Sequence, residues 1–475
     1  MVQSVDEISN TLLRHRLVTD SELMRARSDL RTESTDDFLN LLIRRQILTD
    51  FQVDRIRADE TGILVIGGNK LLYRNASGSF ARLYRGAALK DGSVVGIKLL
   101  RERWAKDKEF VALFHREGEL GQRLKHPNIV PIYASGTDRE YHYLAMEFVE
   151  GGNLRDFLKI RGKLAPGEAC RFALDIARGL EYALKFGIAH RDLKATNVLM
   201  SSTGVAKLID FGLAADESLL NRAGTDLQQA LEYSTLEKGS GAPPNDPRSD
   251  LFFLGTILYE MVAGEEPYPR TRDREERKRF SRYRDIRPVT SVDRNLPMSV
   301  AGIVDQLLQT SPQHRFQTPT EVVVALEDAL RALGVETGSG AKAETGGTPK
   351  ASSVLIVENR PKQQDMLRDY LTNRGYRVLM VSDVDRALSR LKTQPPDCLV
   401  LVGEVIGDRI VDDFRKASDA SIRNRPAVIA VLSEKQVDRK AEVESSANGR
   451  TGVLIQPITL RDLRQLIQKT LESRS

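Results

Sequence analysis

The feature that most constrains this chain is a run of eight residues at positions 190–197, HRDLKATN, followed thirteen residues after its last position by Asp210-Phe211-Gly212. A carboxylate such as Asp192 can accept the proton of a substrate hydroxyl. The side-chain oxygens of Asn197 and Asp210 are ligands that Mg²⁺ prefers. The strand-like residues 205–209 precede Asp210. The spacing therefore predicts one site where a base and two metal ligands meet.

Two residues upstream complete this pattern. Lys98 ends the strand-like sequence VGIK, and a lysine at this place contacts the α- and β-phosphates of a nucleotide. Glu117 follows in the helical sequence FHREGELGQRL and is the predicted ion-pair partner of Lys98. A solvated helix carboxylate is the alternative interpretation of Glu117.

With these motifs in this order, residues 69–331 resemble the bacterial eukaryotic-like Ser/Thr protein kinases. The resemblance implies an α+β bilobal protein-kinase fold, ATP and Mg²⁺ as cofactors, and transfer of the γ-phosphoryl group to protein hydroxyls. It implies that Asp192 is the base, that Lys194 stabilises charge on the γ-phosphoryl group, and that Asn197 and Asp210 hold the metal. Lys194 is typical of Ser/Thr specificity, so tyrosine specificity is not expected.

Further residues match that family in order and spacing. Met146 and Phe148 resemble the gatekeeper and the hinge beside adenine, although Met146 would also suit simple core filling. Asp250 resembles the buried aspartate that anchors the catalytic loop. Arg315 resembles the arginine that pairs with the glutamate closing the activation segment, which is Glu237 here.

The phosphate-binding loop departs from the family pattern G-x-G-x-x-G-x-V. Its four patterned positions hold Ala76, Gly78, Ala81 and Leu83, so one glycine of three remains. Glycine lets the backbone approach a phosphate closely and adopt positive φ. Because alanine is the smallest replacement, the two alanines predict weakened nucleotide binding and not its loss.

The activation segment departs as well, since Ala230 occupies the position of the threonine that orients the catalytic aspartate. This puts the positioning of a peptide substrate in doubt. An ATP-binding pseudokinase scaffold is therefore the alternative function, and an interaction protein without nucleotide is a third. Four hydroxyl residues are candidate phosphorylation sites by their position in the segment: Ser218, Thr225, Ser234 and Thr235.

Residues 1–60 predict a small α-helical module built from two similar helix-turn-helix units, in which RHRLVTDSELMRARSD aligns with RRQILTDFQVDRIRAD. Thr19 with Glu22, and Thr49 with Gln52, have the spacing of capping boxes. Two roles stay open for this module. It could be a packing appendage of the next domain, or it could bind a protein partner.

The segment 334–352 is rich in Gly, Thr, Ser and Ala and predicts a flexible linker. After it, residues 353–475 hold five apolar runs that alternate with amphipathic helical stretches, which predicts five βα units around a parallel sheet. In strand order and length this domain resembles a flavodoxin-like α/β response-regulator receiver. Its implied role is contact with protein partners.

The chemistry of a receiver is absent from this domain. The acidic pair after the first strand is Glu358-Asn359, and Val402 stands where the resemblance places the phosphoacceptor aspartate. Gln456 replaces the lysine, and Ser433 alone resembles the switch hydroxyl. Without an acceptor carboxylate no acyl phosphate can form, so we interpret the domain as a pseudo-receiver.

Composition limits the remaining classes. The 475 residues are 41% hydrophobic and 29% charged with a net charge of +5, which is typical of globular protein. The basic stretch 270–287 has interleaved signs, so a solvated helix is favoured over a docking surface for an acidic partner or over nucleic-acid binding. The isolated cysteines Cys170 and Cys398, and the lack of a predicted signal or membrane span, favour a cytoplasmic protein with an unidentified protein substrate.

Overall fold

The computed structural model describes residues 4–30, 34–45, 47–78, 80–201, 204–211, 228–269, 271, 273–335, 352–372, 374–393, 395–419, 426–446 and 450–472. The chain divides into two compact units, residues 1–342 and 343–475. Most of the predicted linker, and the candidate hydroxyls Ser218 and Thr225, lie outside the described residues. In the described ranges, no helix combines the length and apolar composition that a membrane crossing requires.

Residues 5–57 form the predicted helical module. Side-chain caps start its helices, and the capping boxes predicted at Thr19 and Thr49 are confirmed. The apolar faces share one cluster in which Leu12, Phe38 and Val53 are fully buried. The helices in the described part of the module are α1 (Val5–Arg14), α2 (Asp20–Ser28), α3 (Thr35–Arg44) and α4 (Asp50–Arg57).

An antiparallel sheet of six strands follows within the described residues, in the order β1-β2-β3-β4-β6-β5. Its strands are β1 (Val65–Ile66), β2 (Asn69–Ser77), β3 (Ala81–Ala88), β4 (Val94–Leu100), β5 (Ile132–Asp138) and β6 (Tyr141–Glu147). The helical module packs on this sheet, where the rings of Phe51 and Tyr84 lie 5.7 Å apart.

Two helices, α5 (Glu102–Ala105) and α6 (Lys108–Arg123), connect β4 to β5. Two glycines allow α6 to approach the sheet closely. A Cβ atom at Gly118 would lie 2.5 Å from a methyl of Leu144, and one at Gly121 would lie 2.3 Å from a methyl of Ile132. This close approach brings Glu117 against the sheet.

The second lobe is helical and encloses the largest core cluster, to which α8 and α10 each contribute more buried residues than any other described element. A short antiparallel ribbon is formed by β7 (Val198–Met200) and β8 (Ala206–Leu208), and Leu199 of β7 packs against apolar residues of the six-stranded sheet. The described helices are α7 (Leu154–Arg161), α8 (Pro166–Leu184), α9 (Gln228–Ser240), α10 (Arg248–Ala263), α11 (Arg274–Arg277), α12 (Ser281–Arg284), α13 (Val289–Val292), α14 (Met298–Leu307) and α15 (Pro319–Ala332).

The C-terminal unit has a parallel sheet in the order β10-β9-β11-β12-β13, and the five predicted strand regions are confirmed. Its described strands are β9 (Ser353–Val357), β10 (Arg377–Val381), β11 (Cys398–Val402), β12 (Ala427–Leu432) and β13 (Thr451–Ile455). Its described helices are α16 (Pro361–Thr372), α17 (Val384–Thr393), α18 (Gly403–Ile406), α19 (Ile410–Ser418), α20 (Lys440–Ser445) and α21 (Leu460–Glu472).

The core of the helical module provides a test of this packing. Phe38→Ala should lower the free energy of unfolding by about 3–5 kcal/mol, because it removes a fully buried ring and leaves a cavity. Urea unfolding of the full chain measures the loss. The control is Met24→Ala, at a side chain that is 66% exposed. Equal losses in the two variants would contradict the packing.

Candidate active site

The loop that carries Asp192 is held by one buried carboxylate. Oδ2 of Asp250 accepts a hydrogen bond from the main-chain N–H of His190 at 2.7 Å, and Oδ1 accepts one from Arg191 at 2.9 Å. Asp250 lies in the first turn of α10. Arg191 has a positive φ of 62°, which these hydrogen bonds help to hold. The predicted anchoring contact of Asp250 is therefore confirmed.

Two side chains hold the carboxylate of Asp192. Nζ of Lys194 lies 2.9 Å from both of its oxygens, and Nδ2 of Asn197 donates to Oδ2 at 2.7 Å. Asn197 also donates to the main-chain oxygen of Asp192 at 3.0 Å. Three predicted catalytic residues of this loop, Asp192, Lys194 and Asn197, therefore meet, with Asp192 at their centre.

Lys98 joins the sheet to the loop after β8. Its Nζ lies 2.6 Å from Glu117 of α6 and 2.9 Å from Asp210, so the predicted pair with Glu117 is formed. Burial lowers the pKa of Lys98, but the charges of Asp210 and Glu117 outweigh burial and leave this pKa raised. At Asp210, burial raises the pKa of the carboxyl group and the positive charge of Lys98 lowers it. The charge of Lys98 prevails, so the pKa of Asp210 is lowered. Both groups are therefore ionised at neutral pH.

The predicted nucleotide-contacting residues surround one end of the sheet. Ala76 pairs with Leu83 across β2 and β3, Gly78 follows β2, and Ala81 begins β3. The side chains of Leu83 and Met146 both lie next to Gly96. A Cβ atom added to Gly96 would be 3.7 Å from the Leu83 side chain and 3.2 Å from the Met146 side chain. These residues can therefore form one apolar surface.

Phe148 follows β6 and contacts a buried arginine that the sequence did not reveal. The guanidinium of Arg85 lies 5.3 Å from the centre of the Phe148 ring and 5.7 Å from that of Tyr73. It also donates to the Tyr73 hydroxyl at 2.7 Å. A lone arginine in a strand-like run has no local signal for such a role, so only the packed sheet identifies it.

The segment before α10 is helical. The thirteen residues of α9 include Ala230, whose side chain lies outside the described part of the chain, as do residues 212–227 with Gly212 of the second motif. Glu232 of α9 is largely buried and lies 3.3 Å from Arg277. Burial raises the pKa of Glu232, against the charges of Arg277, Arg282 and the nearby Lys194. Helix α9 therefore reaches the catalytic loop.

Tyr233 is the functional residue that sequence analysis missed. Its hydroxyl donates to Oδ1 of Asp250 at 2.7 Å and accepts the main-chain N–H of Leu193 at 3.1 Å. Its ring stacks on Phe253 at 4.2 Å. Tyr233 thereby joins α9 to the loop and to α10. Its place in the segment was evident from the sequence, but no local pattern indicated its partners.

The predicted ion pair between Arg315 and Glu237 is wrong. Arg315 donates instead to the main-chain carbonyls of Gln309, Thr310 and Arg248. Glu237 accepts from the main-chain N–H of Asn245 at 3.1 Å and from the Ser249 hydroxyl at 3.1 Å. Main-chain carbonyls therefore satisfy Arg315, whereas one main-chain N–H and one hydroxyl satisfy Glu237.

Charges of the basic stretch 270–287 are partly paired inside the chain. Lys278 contacts Glu275 at 2.6 Å, and Arg287 contacts Glu265 at 2.5 Å. Together with the Glu232 contact of Arg277, these pairs agree with the interleaved signs of the sequence. In the described part of this stretch the predicted single solvated helix is replaced by two four-residue helices, α11 and α12, and Tyr283 of α12 is buried.

In the C-terminal unit, an arginine lies where the acidic pair was sought. Glu358 is 1% exposed and receives two hydrogen bonds from Arg360, at 2.9 and 2.8 Å. Arg360 also forms an ion pair with Glu404. The hydrogen bonds that the Arg360 guanidinium donates to Glu358 raise the pKa of Arg360. Val402, at the end of β11, is 5% exposed.

This chain is similar in sequence to known proteins. The profile of the protein kinase domain family matches residues 76–325, just over half of the chain. A probable serine/threonine-protein kinase of Clostridium perfringens is 30% identical over 292 residues, which are 61% of this chain and 42% of that protein. PrkC of Bacillus subtilis is 30% identical over 54% of this chain and 39% of its own length.

The kinase domain of Mycobacterium tuberculosis PknI is similar to 56% of this chain, over 96% of its own length, with 24% identity and a TM-score of 0.44. PknB of Mycobacterium leprae is 31% identical over 48% of this chain and 37% of its own length. The chain thus spans less than half the length of these curated relatives.

Tyr233→Phe tests the hydroxyl that joins α9 to the loop. The variant should lose about 1–3 kcal/mol of unfolding free energy, because the buried N–H of Leu193 loses its acceptor while the ring stacking remains. Denaturant unfolding measures the loss. Tyr182→Phe on α8, whose ring stacks on His126, is the control. A Tyr233 variant as stable as the wild type would remove the hydroxyl from this role.

Proposed function

The chain belongs to the protein kinase family, and we propose that it transfers the γ-phosphoryl group of ATP to serine and threonine hydroxyls of a protein substrate. The contacts of Lys98 with Glu117 and Asp210 carry this proposal. They join the sheet, α6 and the metal-ligand position in one arrangement, and phosphoryl transfer needs these parts together. Ser/Thr specificity is supported by the similar bacterial proteins, which are named as serine/threonine-protein kinases.

Each residue has a proposed role in the reaction. Asp192 accepts the proton of the substrate hydroxyl and is oriented by Lys194 and Asn197. Lys194 then stabilises the charge that develops on the transferred group. Lys98, held by Glu117, orients the α- and β-phosphates. The adenine contacts fall to Met146 and Phe148, and the phosphate loop runs from Ala76 through Gly78 and Ala81 to Leu83.

The donor set fits Mg²⁺. Asp210 offers a carboxylate, and Asn197 offers an amide oxygen because its Nδ2 is bound to Asp192. Mg²⁺ takes few protein ligands when nucleotide phosphates complete its shell. When bound, Mg²⁺ neutralises charge on the phosphates, and these two side chains would hold it.

A pseudokinase scaffold is the second candidate. Ala76 and Ala81 replace two glycines of the phosphate loop, and the segment before α10 is helical from Gln228 onward. The first departure weakens nucleotide contacts, and the second affects the surface where a peptide would bind. Weakened nucleotide binding with little or no transfer would follow from the two departures together.

Labelled ATP distinguishes the two candidates. Wild type should incorporate label with Mg²⁺, whereas Asp210→Ala should not. Asp192→Asn should cut turnover by roughly 10²–10⁴ with nearly unchanged ATP affinity, because the base acts mainly in the transition state. Asp328→Asn, at an exposed carboxylate of α15, is the matched control. Wild-type nucleotide binding with no Asp210-dependent label, under Mg²⁺ or Mn²⁺, would favour the scaffold.

For the C-terminal unit we propose a receiver-like domain of flavodoxin-like topology that binds protein partners and receives no phosphate. The strand order, with β9 between β10 and β11, supports the topology. The chemistry argues against phosphate transfer, because Val402 offers no acceptor and the Arg360 guanidinium already neutralises Glu358. Because the Arg360 guanidinium already occupies the Glu358 carboxylate, that carboxylate is a poor ligand for Mg²⁺.

Acetyl phosphate tests this domain. The full chain carrying Asp210→Ala, which removes the proposed kinase activity, should gain no acid-labile phosphate, because position 402 lacks a carboxylate. Beryllofluoride should produce no change in thermal unfolding. Acid-labile phosphate located to residues 353–475 would overturn the proposal.

A further inference from the structure

Strand β2 has an irregular and open outer edge. Strand β1 pairs with it only at Asn69 and Lys70, so beyond Lys70 no described strand borders that edge. The register with β3 shifts between Leu71 and Tyr73, which leaves Leu72 as the extra residue of a β-bulge. A bulge frees main-chain groups from the ladder, and an open strand edge exposes them.

The helical module supplies donors to the carbonyls at this bulge. The hydroxyl of Thr49 donates to the Leu72 oxygen at 2.6 Å, and Nε2 of Gln52 donates to the Leu71 oxygen at 3.0 Å. Gln52 is 2% exposed. In the same region, Lys70 donates to the main-chain oxygen of Leu17 at 2.8 Å. These contacts favour the packing role of the module.

Thr49 and Gln52 also form the capping box of α4. Oγ1 of Thr49 accepts the N–H of Gln52 at 3.2 Å, and Oε1 of Gln52 accepts the N–H of Thr49 at 3.0 Å. Each side chain therefore accepts a hydrogen bond within the cap and donates one to β2. Glutamine can serve both purposes because an amide is both acceptor and donor, whereas a carboxylate only accepts.

The first unit of the repeat shows the difference. Its capping box uses Glu22, which accepts the N–H of Thr19 at 2.7 Å and also the Thr19 hydroxyl at 2.8 Å. Thus Thr19 turns its hydroxyl back to its own cap, and this cap is exposed. The two units share the capping geometry, but only the second has a donor for the sheet.

The bulge connects to the predicted nucleotide surface along two routes. Beyond it, the register of β2 with β3 shifts once more between Arg74 and Ala76, and β2 then reaches the pair of Ala76 with Leu83, where the phosphate loop begins. Tyr73, the next residue after Leu72, accepts a hydrogen bond from Arg85, whose guanidinium covers Phe148. A one-residue slip in register turns side chains to the opposite face of a strand, so the bulge at Leu72 sets the facing of Tyr73, and together with the second shift it sets the register at Ala76.

We propose that Thr49 and Gln52 are positioning residues for the nucleotide, which hold the β2 bulge and through it the phosphate loop and the hinge. The proposal rests on the proposed function, because it concerns the same site. It makes the helical module a structural part of nucleotide binding. A partner that pulled α4 from β2 would weaken that binding.

The test measures the dissociation constant of Mg²⁺-ATP on the full chain by calorimetry. Q52E keeps an acceptor for the cap but places a carboxylate against the Leu71 carbonyl, and it should raise the constant roughly fivefold, the scale of one lost hydrogen bond. Q52M removes the donor without adding charge and should act in the same direction. E22Q, the mirror change in the first unit, should leave the constant within about twofold.

Transfer kinetics supply the second readout. Q52E and Q52M should raise KM for ATP by the same factor as the dissociation constant, with kcat at saturating ATP within about twofold of wild type. Lower thermal stability with unchanged nucleotide affinity would overturn the inference and leave a merely structural contact. Absence of transfer by the wild type would overturn the proposed function, and the binding constants would still decide the role of Gln52.

Discussion

The buried carboxylate of Asp250 is the interaction on which the active-site geometry depends. Its two oxygens accept hydrogen bonds from two main-chain groups of the catalytic loop and from the Tyr233 hydroxyl. A buried charge is costly unless donors satisfy it, and here three donors come from two different segments. All three donors bind Asp250 on the first turn of α10. The catalytic loop and α9 are therefore positioned by a helix of the lobe's core.

Lys98 has the corresponding position in the other lobe. Removing an ammonium from water is costly, and the buried Lys98 offsets this cost with two carboxylates, Glu117 and Asp210. The arrangement needs α6 against the sheet, which Gly118 and Gly121 permit. The nucleotide-facing charges therefore depend on two residues that have no side chain at all.

Two side chains outside the active site, Gln52 and Arg360, provide hydrogen-bond donors to groups that would otherwise be buried without a partner. Gln52 supplies hydrogen bonding that no described neighbouring strand offers to β2, and Arg360 supplies positive charge beside Glu358 in the C-terminal unit. In both cases a polar side chain satisfies a buried group, since leaving such a group unpaired costs more than the bond itself gains. Each of these contacts involves one side chain and one neighbouring group.

The sequence by itself determined the elements and the chemical groups. The capping boxes at Thr19 and Thr49, the five strand runs after the linker and the ion pair of Lys98 with Glu117 follow from local spacing or from a motif of fixed order. Such signals lie within one element or one recognised pattern, so they can be read without knowing the packing.

Only the tertiary structure decided which distant groups satisfy one another. Tyr233 meets Leu193 across 40 positions, and Gln52 meets Leu71 across 19, with no periodicity to mark either contact. The error at Arg315 has the same origin, because nearby main-chain carbonyls competed for the guanidinium and prevailed. Hydrogen-bond partners are selected by burial and proximity in the folded chain, and a linear pattern contains neither.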